Sequence, residues 1–126
     1  MKTGAVIGPI ESVRVFTRDL ALARKFYARG LGLTETSAGL GYAVFATGGA
    51  SLVLEQTDED DDEADGLVGR VAGFSFTVED CRAAVAQLEA RGVTIVGAPS
   101  PQPWGGVLAF VEDADGNILT LVQHGR

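Results

Sequence analysis

Two short runs of alternating apolar and polar residues lie about sixty residues apart, and each leads into a helical pattern. From Glu11 to Thr17, Val13 and Val15 point one way and Ser12, Arg14 and Phe16 the other. Side chains alternate across a strand, so this run predicts a strand with two different faces. Asp19 then offers a carboxylate to cap a helix from Leu20 to about Arg29. Leu22, Ala23, Phe26 and Tyr27 form its apolar stripe, and Gly30 and Gly32 end it. From Val71 to Val78 the order repeats: Phe74, Phe76 and Val78 share one face, Gly73, Ser75 and Thr77 the other. Asp80 stands where Asp19 stood, and Cys81, Ala84, Val85 and Leu88 recur at helical spacing before Arg91-Gly92.

Each helix is followed by strand patterns. In the first half these run at about 33–38, 42–47 and 51–56, with Gly39, Gly41, Gly48 and Gly49 in the turns. In the second half a strand at 93–96 precedes a Pro-rich loop from Ala98 to Gly106. Strands at 107–112 and 118–123 then form a hairpin around Asp113-Ala-Asp-Gly-Asn117. The pattern is β-α-β-β-β twice. It predicts an α+β fold in a single domain: module one at about 9–57, a linker at 58–69 and module two at about 70–124. Each module pairs a small mixed sheet with one helix. The strand faces away from the helices carry small or mildly polar residues, among them Ser12, Gly73, Ser75, Thr77 and Thr120. Small residues leave room, so these faces predict curved sheets enclosing a cavity, where small-molecule sites tend to lie.

Charge alters this picture little. The net charge is −7, but seven of the 17 acids lie in one run, Asp58 to Asp65, and the remaining ten match the ten bases. Such a run reads as a solvated loop, with attraction of cationic ligands or exclusion of anions as the minor alternative. A net acidic chain without a basic patch argues against nucleic acid as a partner. Cys81 is the only cysteine, so no disulfide forms within the chain, and its helical position reads as a core residue. No apolar run approaches membrane-span length and no signal-peptide core is present, so a cytoplasmic location is expected.

Three segments carry a resemblance: RDLALARKFYARGLGL, FSFTVEDCRAAVAQLEARGV, and AFVEDADGNILTLVQ after PWGG. In this order they resemble the vicinal oxygen chelate superfamily, which includes glyoxalase I, extradiol dioxygenases and the bleomycin-resistance proteins. Enzymes of that family hold a divalent metal with histidines and glutamates from four strands, because a Lewis-acid site needs converging N and O ligands. Carried onto this chain, the resemblance puts those positions at Ser12, Gly73, near Leu54 (with Glu55 and Gln56 adjacent) and Thr120. None of the four is a ligand of the expected type. His124, the only histidine, lies four residues past the last position, more than about 10 Å along a strand. The resemblance to the bleomycin-resistance branch therefore implies no metal and no cofactor.

Several residues have two readings. Trp104, in PQPWGG, either stacks on a planar ligand at a cavity mouth, as the resemblance implies, or plugs the sheet end or a dimer contact. Arg14 either meets a substrate carboxylate or phosphate, or pairs internally with Glu112 or Glu55. Phe16, Leu52, Leu54, Phe110 and Ile118 are either cavity wall or ordinary core. Tyr42 either donates a hydrogen bond into the cavity or is half exposed. Ser12, Ser75, Thr77 and Thr120 lack a nearby His base, so they read as hydrogen-bond donors rather than nucleophiles. The turn at Asp113–Asn117 has a faint calcium-loop look but lacks the closing Glu, and it reads as a hairpin turn.

The expected function is metal-independent sequestration of a planar or aromatic small molecule in an apolar cavity. The ligand-binding set is Trp104, Arg14, Phe16, Ser12, Leu54, Ser75, Phe110 and Thr120, with no catalytic residue. The resemblance places such a site between the two chains of a homodimer. The alternative is a glyoxalase-type lyase or isomerase, or a dioxygenase, with a divalent metal. A third reading is an interaction module with a vestigial cavity. Fold alone does not choose among them.

Overall fold

The computed structural model describes residues 6–58 and 66–125. All of the acidic run except Asp58 lies outside them, and with it the loop reading of that run. Eight strands are present among the described residues: β1 (Ser12–Thr17), β2 (Thr34–Gly39), β3 (Tyr42–Ala46), β4 (Ser51–Gln56), β5 (Val71–Thr77), β6 (Thr94–Pro101), β7 (Val107–Glu112) and β8 (Ile118–Gln123). Helix α1 (Leu20–Lys25) runs on into a π-helical turn (Phe26–Gly30), and helix α2 spans Cys81–Ala90. The strands form two four-stranded sheets, in the orders β1-β4-β3-β2 and β5-β8-β7-β6. β1 and β5 run parallel to β4 and β8, and all other pairs are antiparallel. This is the α+β arrangement of two βαβββ modules. The sheets stay open; they do not close into a barrel.

Both helices start in the same way. Asp19 Oδ1 accepts the Leu22 N–H at 3.1 Å and Asp80 Oδ1 accepts the Ala83 N–H at 3.1 Å. The first N–H of each helix also has a partner: Gln56 Oε1 takes that of Leu20 at 3.0 Å, and Gln123 Oε1 takes that of Cys81 at 2.7 Å. A helix start leaves these donors without backbone partners, and the glutamine ending the parallel neighbour strand supplies the acceptor. The helix expected to run to Arg29 widens instead after Lys25, where the Leu31 N–H reaches back five residues to the Phe26 carbonyl at 3.0 Å. Its inward face is Ala23 and Tyr27; Leu22, expected on the stripe, is half exposed.

One apolar core lies on the helix side of both sheets. It takes Val15, Ala43, Phe45, Leu52 and Leu54 under α1, and Val107, Ala109, Val111, Leu119 and Leu121 under α2. Cys81 belongs to it, and burial pushes its thiol up. The segment expected to be a loop from Ala98 is strand as far as Pro101. β6 is an outer edge strand with register shifts at Gly97, and prolines are tolerated where no neighbour needs their N–H.

The β7–β8 turn ties the modules together. Asn117 Nδ2 donates to the Phe16 carbonyl at 3.1 Å, and Asp115 Oδ1 accepts the Arg18 N–H at 2.8 Å. Tyr27, fully buried, donates its hydroxyl to Asp113 Oδ2 at 2.6 Å.

Candidate functional site

Strand register decides which residues face away from the helices. In sheet one, Arg14 pairs with Val53, which pairs with Val44, and Phe16 pairs with Glu55, which pairs with Tyr42. In sheet two, Ser75 pairs with Thr120, which pairs with Phe110. Ser12, Arg14, Phe16, Ser75, Phe110 and Thr120 therefore stand on the open faces. Leu54 does not. It pairs with Val15, is fully buried on the helix side, and leaves the site, as does Leu52. A strand turns alternate residues to opposite faces, so the outward residues of β4 are Val53 and Glu55. The alternation of Leu52 and Leu54 opposite Val13 and Val15 was the signal that could have identified them. Tyr42 is also on the open face, its ring lying over Gly39.

β1 and β5 are the inner edges of the two sheets, and open-face residues of both line one pocket of about 220 Å³. Arg14, Phe16, Arg70, Val71 and Gly73 contribute to it, with Phe74 and Asn117 from the core side. A larger cleft of about 530 Å³ includes Ser75 and Thr77, the turn residues 47–50 and core-side groups such as Val13, Leu52 and Phe76. In the smaller pocket, Arg14 Nε and Nη2 donate to Glu55 Oε1 and Oε2 at 2.7 and 2.9 Å, the internal ion pair foreseen as one alternative. Those hydrogen bonds, reinforced by the carboxylate charge, push the guanidinium pKa up. The same guanidinium lies 5.3 Å from the centre of the Phe16 ring. A Cβ built on Gly73 meets nothing within 4 Å, so this position is open space.

Trp104 stands apart from these rows. A turn closed by Gln102 and Gly106 carries it, with Gly105 at φ +97°. Its six-membered ring crosses Gly106 where a Cβ would be, and its centroid is 6.0 Å from that of the His124 ring. Trp104 remains 53% exposed. His124 had been assigned no role. It continues the outward alternation of Thr120 and Val122 beyond β8, which was the available signal. Arg70 was also missed, and because it precedes its strand no periodicity marks it.

Of the positions that the resemblance gives the family's metal ligands, Ser12, Gly73 and Thr120 stand on the open faces and Leu54 is buried in the core, with Glu55 its outward neighbour. Only Glu55 is a carboxylate, and both its oxygens face Arg14. Among the described residues no three His, Cys, Asp or Glu side chains come together. This donor set does not fit a divalent metal, which needs several converging N or O ligands. No helix of the described residues is long and apolar enough to cross a membrane.

The fold and the open-faced paired modules define a class. Residues 9–121 match the model of the Glyoxalase/Bleomycin resistance protein/Dioxygenase superfamily, and the chain belongs to that superfamily. No curated protein matches the chain. A solved member of the superfamily from Sphaerobacter thermophilus is 23% identical, with a TM-score of 0.81, and the match covers 95% of this chain and all of that one. TnmS3, an antibiotic binding protein from Streptomyces sp. CB03234, is 27% identical with a TM-score of 0.76, covering 96% and 99%. A Nocardioides glyoxalase/bleomycin resistance protein/dioxygenase is 20% identical with a TM-score of 0.75, covering 97% and 87%.

Proposed function

We propose that this protein binds a planar or aromatic small molecule on the open faces of its sheets and sequesters it without a metal. The observation that carries this reading is Trp104, a large flat ring held over Gly106 and left half exposed at the end of sheet two. A rigid exposed aromatic offers stacking area at low entropic cost. Phe16 and Phe110 add apolar area on the open faces, where Ser12, Ser75 and Thr120 also stand with their hydroxyls. The donor set at the family's metal positions supports binding over metal-assisted chemistry. The likeness to an antibiotic binding protein supports the ligand class.

A homodimer belongs to this reading. One chain leaves Tyr42, Val71 and Trp104 well exposed on the open side, and a second chain would cover them and complete a cavity.

Trp104 is the only tryptophan, so its fluorescence is a direct probe. Titration with a panel of planar aromatic compounds, antibiotics included, should give saturable quenching, and Trp104→Ala should weaken calorimetric affinity by about tenfold or more. Stoichiometric metal retained through dialysis, or no saturable ligand in the panel, would overturn the proposal.

A further inference from the structure

The pocket between β1 and β5 is chemically one-sided. It is lined by two arginines, Arg14 and Arg70, with no carboxylate among its described lining residues. Asn117 is the one polar side chain in the rest of the lining, and its amide is bonded to Gly69, Phe16 and Asp113; Phe16, Val71 and Phe74 form walls, and Gly73 leaves open space. Glu55 offsets the Arg14 charge, so Arg70 gives the described lining its net positive charge, and the local charge is what a docked group meets.

The arginines differ in their attachments. Arg14 spends Nε–H and one Nη2–H on Glu55. A guanidinium has five N–H donors, so three remain, on a group held by the carboxylate and the Phe16 ring. Glu55 is therefore a positioning residue, fixing Arg14 without using up its donors. Arg70 is exposed immediately before β5 and forms no ion pair with a described residue. At about 220 Å³ the pocket is smaller than a drug-sized site. It accommodates one end of a ligand.

We infer that this pocket receives the anionic group of the ligand, a carboxylate or phosphate carried on a flat apolar body, between Arg14 and Arg70. The inference rests on the open faces being the ligand site, and it adds the ligand's charge. It does not rest on stacking against Trp104, which stands at the Gln123 end of β8 while the pocket lies at the Ile118 end. Arginine suits both anions because its planar fork matches their oxygens. The net acidity of the chain comes from the run Asp58 to Asp65 and points the other way, toward a cation; the described lining of the pocket points to an anion.

The test uses the full chain and four probes: 2-naphthoate, 2-naphthyl phosphate, neutral 2-naphthamide and cationic 2-naphthamidine, each titrated by calorimetry. The acids should bind about tenfold or more tightly than the amide, and the amidine should be weakest. Arg70→Gln, checked for folding by circular dichroism, should abolish the preference for acids, and Arg70→Lys should retain part of it. Comparison of naphthoate with naphthyl phosphate identifies the favoured anion. The inference is wrong if the amide matches the acids, if Arg70→Gln keeps the preference, or if Arg70→Lys loses it as fully as Arg70→Gln. If neutral probes still bind by calorimetry while no acid preference exists, only this inference fails. If no probe or panel compound binds, the binding function fails with it.

Discussion

The Tyr27 hydroxyl donates to Asp113 Oδ2 at 2.6 Å across a sequence separation of 86 residues, joining the π-helical turn of module one to the β7–β8 turn of module two. Asp113 is saturated: Oδ1 accepts the Asp115 and Asn117 N–H groups at 2.9 Å each, and Oδ2 also accepts Asn117 Nδ2 at 2.9 Å. Asn117 Oδ1 in turn holds the Gly69 N–H at 2.8 Å. The cluster joins the two modules beside the pocket between β1 and β5, which Asn117 helps to line.

Tyr27→Phe removes one hydrogen bond to a charged group and should cost about 1.5–3 kcal/mol. Asp113→Ala should cost more, since Tyr27 and three donors from Asp115 and Asn117 lose their acceptor in the interior. Urea unfolding of each variant checks the order, and an Asp113→Ala cost below that of Tyr27→Phe would contradict it.

Burial raises the Tyr27 pKa, and the Asp113 charge and hydrogen bond raise it further. The unfolded phenol ionises near pH ~10 while the folded one stays protonated. The unfolded state then binds fewer protons, so stability is full below pH ~10 and falls above it, by about 1.4 kcal/mol per pH unit from this group. Unfolding of wild type and Tyr27→Phe from pH 8 to 11 should give converging stabilities above pH ~10; parallel curves would exclude the effect.

Gly73 and Gly97 should answer an added methyl in opposite ways. Gly73→Ala meets open space and limits the unfolded chain, a gain of about 0.4–1 kcal/mol. Gly97→Ala puts its Cβ 2.7 Å from Phe110 Cδ2, and moving that ring should cost about 1–3 kcal/mol. Thermal melts of the two variants shifting in the same direction would refute the contrast.

Trp104→Ala separates stability from binding. The ring is half exposed, so unfolding free energy should change by less than about 1 kcal/mol, while ligand affinity falls as proposed above. A large loss of stability would instead make Trp104 a structural plug.

Cys81 is fully buried and its thiol pKa is raised by burial. A disulfide reagent such as DTNB should leave it unmodified in the native protein and react once denaturant unfolds the chain, since the thiolate is the reactive form. Rapid reaction under native conditions would show that α2 opens locally.

Much of this protein is written in short-range pattern. The alternation in Ser12–Thr17 and Val71–Thr77, the caps Asp19 and Asp80, and the spacing of Cys81, Val85 and Leu88 are local consequences of backbone geometry, so they specify two βαβββ modules without reference to any distant residue. The absence of a metal donor set at Ser12, Gly73 and Thr120 is likewise a matter of residue identity. Other features depend on partners that sequence order does not reveal. Leu54 belongs to the core because its strand lies beside Val15, and Glu55 faces outward to hold Arg14 for the same reason. Pro99 and Pro101 sit in β6 because that strand ends on an open edge. Trp104 meets His124, and Arg70 joins Arg14, only when folding brings residues from separate elements into one place. Pairing across long loops is set by packing of the whole chain, and there the local period carries no information.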